Sequence, residues 1–205
     1  MDDFEAFAAG GLARFAPPED AVAFAREIRD PERYKFTTPS GKIEIYSMAI
    51  AADPNPYGLG TIPAIPTFLA PLADSSRYPL RLCTPKSRAR THSIHANQSR
   101  LARLDRDEVW VHPADALARG IKDAERVRVF NELGATVLPA RVTEQIARGV
   151  VSIKEGAWFT PNRDGTDLKG CANVLTADRS APCGATTYNT NQVEVERWQA
   201  HDPDA

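Results

Sequence analysis

From Tyr78 onward the chain is written as short runs in which polar and apolar residues alternate. Arg126-Val-Arg-Val-Phe130 and Gln192-Val-Glu-Val-Glu196 are the cleanest, and Leu80–Thr84, Glu108–His112, Ala135–Val142 and Gly149–Ile153 share the texture. A period of two sends alternate side chains to opposite faces, so each run reads as a half-buried strand. Asn131-Glu-Leu-Gly134 is hairpin-turn chemistry between two of the runs. His112-Pro113 opens a short helix over Ala114–Ala118 that stops at Gly120. Short strands with only scraps of helix predict a mainly β fold closed into a barrel, because closure removes exposed sheet edges.

The residues before Tyr78 follow other rules. Residues 1–35 read as a helical appendage: Phe4, Phe7 and Ala8 share a face, Gly10-Gly11 breaks it, and Leu12 and Phe15 precede Pro17-Pro18. A second helical stretch offers Asp20 as N-cap, spaces Val22, Phe24, Ala25 and Ile28 along one face, and has Pro31 past its end. This piece has little of its own to bury and is expected to pack on something else. Phe36–Ser47 reads as a β-hairpin turning at Pro39-Ser40-Gly41, with Lys42-Ile-Glu-Ile-Tyr46 as its alternating strand. Residues 49–77 hold five prolines and two glycines and read as a long connection. The expected organisation is thus 1–35 appendage, 36–77 hairpin and Pro-rich connection, 78–198 barrel and 199–205 tail.

Composition excludes several function classes. A formal net charge of −2 and a sequence pI near 6.1 argue against nucleic-acid binding. No apolar run approaches the roughly 18 to 20 residues that span a bilayer. The N-terminus MDDFEAFAAGG is acidic and does not read as a secretory signal. Cys83, Cys171 and Cys183 make an odd set without a CxxC pair, so free thiols are expected rather than disulfides or zinc. No GxSxG, HExxH or GxxxxGK[ST] motif occurs. Ser93 beside His92 is no triad, because neighbouring side chains on an extended chain diverge.

The chemistry concentrates in Arg81–Asn97, RLCTPKSRARTHSIHAN. From Ser75 to Leu104 there is no Asp or Glu, while Arg77, Arg81, Lys86, Arg88, Arg90, Arg100 and Arg103 give seven cations. Arg, Lys and hydroxyl groups together suit an anion such as phosphate. A solvated basic loop is the plainer alternative.

Several segments in order carry a resemblance: Thr84 followed by Arg90-Thr-His-Ser93, Val109-Trp-Val-His-Pro-Ala-Asp-Ala116, Gly120-Ile-Lys-Asp123 and Val127-Arg-Val-Phe-Asn131. Gly149-Val-Val151, Glu155-Gly-Ala-Trp158, Gly170-Cys-Ala-Asn-Val-Leu-Thr176 and Thr190-Asn-Gln-Val-Glu-Val195 continue it. Together they resemble the C-terminal molybdopterin-dinucleotide-binding domain of the dimethyl sulfoxide reductase family, in particular the catalytic subunit of its multi-subunit members. The resemblance covers about Tyr78–Trp198, and Thr38–Glu44 continues it upstream.

The resemblance implies a double-psi β-barrel of the aspartate-decarboxylase-like class, the last domain of a larger oxidoreductase. Its implied cofactor is molybdopterin guanine dinucleotide, two copies holding molybdenum or tungsten through dithiolenes. The protein ligand to the metal, and any iron–sulfur cluster, would lie in earlier domains, so no metal ligand or catalytic residue is expected here. Capping and orienting the cofactor for oxygen-atom transfer, such as S-oxide reduction, would be the role, and the isolated domain would be inactive. Implied partners are the remaining domains of the catalytic chain, an iron–sulfur electron-transfer subunit and a membrane anchor subunit. Members of this subtype are often exported to the periplasmic side of the inner membrane. A stand-alone, non-catalytic barrel binding a nucleotide or a protein is the alternative.

Residue by residue, the resemblance carries cofactor contact to Thr84, Arg88, Arg90, Thr91, His92, Ser93 and Asn97 in the basic loop. It also carries contact to Trp158 and Phe159, to Asn173, and to Asn189 or Asn191 before the last strand. Asn173 is expected as a buried amide, whose donors and acceptor match a pterin edge. Plain structural roles remain open for these residues: a loop histidine, a wall aromatic, an asparagine holding a turn. His95 and His112 receive no role.

Overall fold

A computed structural model describes residues 3–12, 14–16, 21–55, 61–68, 76–177 and 188–199. The chain divides into two compact units, Met1–Thr67 and Phe68–Ala205.

The first unit is helical, and none of its described residues is buried. Helix α1 (Phe4–Gly10) is capped by Asp3, whose carboxylate accepts from the Glu5 and Ala6 amides. It ends at Gly11 with φ +68°, the break expected at Gly10-Gly11. Helix α2 (Ala25–Arg29) starts after Phe24 and stops before Asp30-Pro31. Asp20, expected as its cap, lies outside the described residues. Ser47 caps α3 (Met48–Ala52), which the sequence reading passed over as connection. None of the three helices carries a buried residue.

The expected hairpin over Phe36–Ser47 keeps its turn but not its strands. Gly41 donates to the Thr38 carbonyl and Phe36 to the Gly41 carbonyl. Beyond the turn Ile43 and Ile45 are 72% and 73% exposed, and no strand forms among the described residues of this unit. Alternation specifies a strand only where one face is covered, and here no described residue of the unit covers it.

The second unit is the predicted barrel. Strands β1 (Leu80–Cys83), β2 (Val109–Val111), β3 (Arg126–Phe130), β4 (Ala135–Val142), β5 (Val150–Ile153) and β6 (Gln192–Arg197) close in the order β1-β5-β2-β4-β3-β6. The β1–β5 and β2–β4 ladders are parallel and the other four antiparallel, the mixed closure that suits the double-psi class. Leu80, Leu82, Val109, Val111, Val127, Val129, Val151, Ile153, Val193 and Val195 point inward, all at most 2% exposed. Their fixed spacing of two is why the sequence pattern located β1, β2, β3, β5 and β6.

The helices of this unit are short. In α5 (Pro113–Ala118) His112 is the N-cap, its Nδ1 accepting from the Ala114 amide, which gives that histidine a structural role. Gly120, with φ +65°, lies just beyond it. Helix α4 (Ser99–Leu104) and a 3-10 turn over Ala172–Leu175 were not foreshadowed by the strand pattern. The strand directions place the ends of β1, β3 and β5 and the starts of β2, β4 and β6 at one rim. Every residue singled out for a ligand lies on the loops of that rim.

Candidate functional site: one rim of the barrel

Thr84 leaves β1 already tied across the barrel. Its amide and Oγ1 both donate to Asn189 Oδ1, at 2.8 and 3.1 Å, and the residue is buried. Asn191 completes the joint: its carbonyl accepts from the Leu82 amide, its Oδ1 from the Ala177 amide, and its Nδ2 donates to the Tyr188 carbonyl. The side chain of Asn191 is therefore engaged within the protein. Asn189 is exposed, and its amide nitrogen makes no hydrogen bond among the described residues. The two asparagines that the sequence left interchangeable are distinguished by this geometry.

The basic loop then folds onto carboxylates that lie far off in sequence. Asp105 Oδ2 accepts from Ser87 Oγ at 2.7 Å and from the Arg88 amide at 2.9 Å, while Oδ1 takes Lys154. Burial pushes the Asp105 pKa up, but the bonds from Lys154, Ser87 and the Arg88 amide outweigh it and lower the pKa to about 2. Arg90 is inside: its side chain is 5% exposed, NH1 reaches Asp107 at 2.8 Å and NH2 the Glu155 carbonyl at 3.0 Å. A buried guanidinium requires such partners, yet its Nε is buried with none among the described residues. Glu155 Oε1 also lies 2.7 Å from Lys86 Nζ and 3.2 Å from His92 Nδ1. Of the seven cations in this stretch, Lys86 and Arg90 thus meet carboxylates from distant segments, while Arg88 and Arg103 have none among the described residues. Asp105, Asp107 and Glu155 are functional supports that the sequence reading missed, because charge runs report neighbours in sequence only.

The tip of the loop is held in one conformation. Thr91 and Ile94 form an isolated bridge, with His92 at φ +52° and His95 at φ +70°. Such angles are uncommon for non-glycine residues, though histidine adopts them more often than most. Trp158 Nε1 donates to the Ser93 carbonyl at 2.8 Å. Gly156, with φ +92°, backs against the same peptide: a Cβ there would lie 1.9 Å from the His92 carbonyl oxygen. The segment Glu155–Trp158 therefore seats His92-Ser93 through a buried arginine, a glycine contact and an indole. Gly156 was visible within the sequence pattern, but nothing local marked it as a contact.

Several groups remain open at the rim. Thr91, His92, Ser93, Asn97 and Asn173 are exposed, and Trp158 and Phe159 are about half exposed. Asn173, expected buried, is not: the 3-10 turn buries Ala172 and Leu175, three residues apart, and leaves Asn173 on the outside. Asn131 holds this turn at the rim, its Nδ2 donating to the carbonyls of Leu175 and Gln192. Arg88 is exposed and its guanidinium has no carboxylate partner among the described residues. Direct contact among all the named residues is not formed: the Thr84–Asn189 joint, the Arg90–Ser93–Trp158 cluster and Asn173 are separate patches of one rim.

Cys83 and Cys171 are free thiols, the second buried with its pKa raised by that burial; Cys183 lies outside the described residues. Among the described residues no cluster could hold a metal ion. The rim thus offers hydroxyl, amide, imidazole and guanidinium groups beside exposed aromatic rings. Such a set can hold a flat, nitrogen- and oxygen-rich anionic ligand.

Residues 80–192, more than half of the chain, match the sequence model of the molydopterin dinucleotide binding domain. The chain is similar to "Dimethyl sulfoxide reductase DmsA" of Escherichia coli (strain K12), 36% identical over 96% of this chain and 25% of that protein. It is also similar to "Biotin sulfoxide reductase" of Cereibacter sphaeroides, 36% identical over 100% of this chain and 28% of that one. Among solved structures, acetylene hydratase from Pelobacter acetylenicus shares the fold. Its TM-score is 0.64 at 20% identity, over 82% of this chain and 25% of that one. The chain spans about a quarter of the length of these relatives.

Proposed function

This chain belongs to the molydopterin dinucleotide binding domain family, and from that premise we propose that its barrel rim caps and orients molybdopterin guanine dinucleotide within a larger oxidoreductase. The observation that carries this is the Thr91–Ile94 turn, pinned by Arg90, Gly156 and Trp158 so that His92 and Ser93 stand at its exposed tip.

The residues present fit the group. Ser93, Thr91 and Asn97 offer hydrogen bonds to a pterin or phosphate edge, Asn173 and Asn189 offer amides, and Arg88 offers charge. The buried Nε of Arg90 is a further donor without a partner. Thr84 and Asn191 act one step back by fixing the joint between β1 and β6. When bound, the cofactor supplies two-electron redox chemistry through its metal, and the protein supplies binding, orientation and shielding from water.

The wider assignment follows the relatives. Reduction of an S-oxide or N-oxide is the proposed activity of the whole enzyme, by a catalytic chain that works with an iron–sulfur subunit and a membrane anchor. Residues 1–35 are proposed to belong to a neighbouring domain of that chain, residues 36–77 to connect it to the barrel, 78–198 to form the barrel and 199–205 a tail. The uncovered apolar residues of the first unit favour this over a self-contained binding module.

In the holoenzyme that carries this domain, Ser93→Ala combined with Asn173→Ala should lower bound molybdenum and the guanine nucleotide released on acid denaturation about threefold or more. Metal analysis and chromatography of the released nucleotide read this without recourse to turnover. Unchanged content of both would sink the assignment of the rim.

A further inference from the structure

Outside the barrel, across β2 and β5, lies a cavity of about 720 Å³ that is lined in part by Pro85, Lys86 and Arg88 of the rim loop. Trp110 and Ser152, the outward residues of their strands, form part of it, and Arg88, Arg103, Leu104 and Arg106 form its wall. Other cations there are already engaged: Lys86 with Glu155, Lys154 with Asp105, and Arg141 with Glu108 while stacked on Trp110. Arg88, Arg103 and Arg106 are exposed and have no carboxylate partner among the described residues. Leu104, at the end of α4, is 77% exposed in their midst.

We propose that this cavity is a docking surface for a separate protein chain, which presents an acidic segment carrying one apolar anchor. Three unpaired guanidiniums on two segments suit several spaced carboxylates, each able to take a bidentate pair. Leu104 suits a single apolar side chain between them. The two carboxylates in the wall, Asp105 and Glu108, are paired with Lys154 and Arg141, which leaves the three guanidiniums to set the sign of the surface. The wall is charged rather than apolar, the character of a reversible contact between chains rather than a permanent interface. Strand addition is excluded as the mode, since the barrel is closed.

The probe is a labelled twelve-residue peptide of alternating Glu and Asp with a central Leu, followed by fluorescence anisotropy with the full 205-residue chain. Binding should weaken steeply with added salt. Arg103→Glu with Arg106→Glu should weaken it at least tenfold, and Leu104→Ser about threefold. Arg103 and Leu104 lie on an exposed helix, and thermal melting confirms that the variants fold; Arg103→Ala with Arg106→Ala replaces the charge reversal if it does not. Ser93→Ala and Asn173→Ala should leave peptide binding unchanged, which separates this surface from the exposed tip of the rim loop; Arg88, proposed above to offer charge to the cofactor, is shared by the two. The proposal is overturned if the arginine variants bind like the native chain, if the rim variants weaken the peptide equally, or if inorganic pyrophosphate displaces it at lower concentration than free peptide does.

Discussion

At the scale of single residues, the rim depends on supports that never face a ligand. Gly156 is the sharpest case, because two constraints coincide: a positive φ and a backbone oxygen where a Cβ would lie. Gly156→Ala must therefore move the His92 peptide or the chain that carries residue 156. A loss of about 1–3 kcal/mol in urea unfolding is expected, with faster amide exchange at Ser93–Ala96 than in the native chain. Unchanged exchange there would show that the loop tip is held by other means. The residues legible in sequence were those at the tip, His92 and Ser93, because they sit in a recognisable order. Asp105, Asp107 and Glu155 were not, since an ion pair across tens of residues leaves no local signal.

At the scale of elements, the strands were readable and their coverings were not. Strand β4 is buried at four successive residues, Ala135–Leu138, because the loop around Asp167 lies over its outer face. Asp167 is fully buried and gathers four donors of that loop and of β4. It accepts from Thr136 Oγ1 at 2.6 Å, the Cys171 amide at 2.7 Å, the Thr160 amide at 2.8 Å and the Lys169 amide at 3.1 Å. Four donors on one carboxylate leave no acceptor for an added N–H. Asp167→Asn should therefore destabilise the barrel by about 2–4 kcal/mol, since an amide would turn a donor toward donors. An unfolding midpoint equal to the native one would refute this. The contrast with Ile43 and Ile45 is instructive: the same alternation made no strand where no neighbouring strand or core was supplied.

At the scale of the whole molecule, the two units differ in what they bury. The barrel closes on a core of valine, leucine and isoleucine. The first unit exposes Phe4, Leu12, Phe15, Val22, Phe24, Ile28 and Met48. A chain restricted to residues 68–205 should keep the cooperative melting of the barrel within a few degrees and lose most of the binding of an apolar dye such as ANS. Residual dye binding as strong as that of the full chain would place the exposed apolar surface on the barrel instead.

The amino-acid order by itself determined the barrel strands, their inward faces and the residues at the tip of the rim loop. Each of these follows from a local rule: a period of two, turn chemistry, or a motif in sequence order. The tertiary structure alone decided which cations are neutralised, which of Asn189 and Asn191 stays open, that Asn173 faces outward, and that Arg90 is buried. Those outcomes depend on closure of β1 against β5 and β6, which brings carboxylates, carbonyls and a glycine from distant segments to one rim. Burial and pairing are properties of neighbours in space, and the chain acquires those neighbours only by folding.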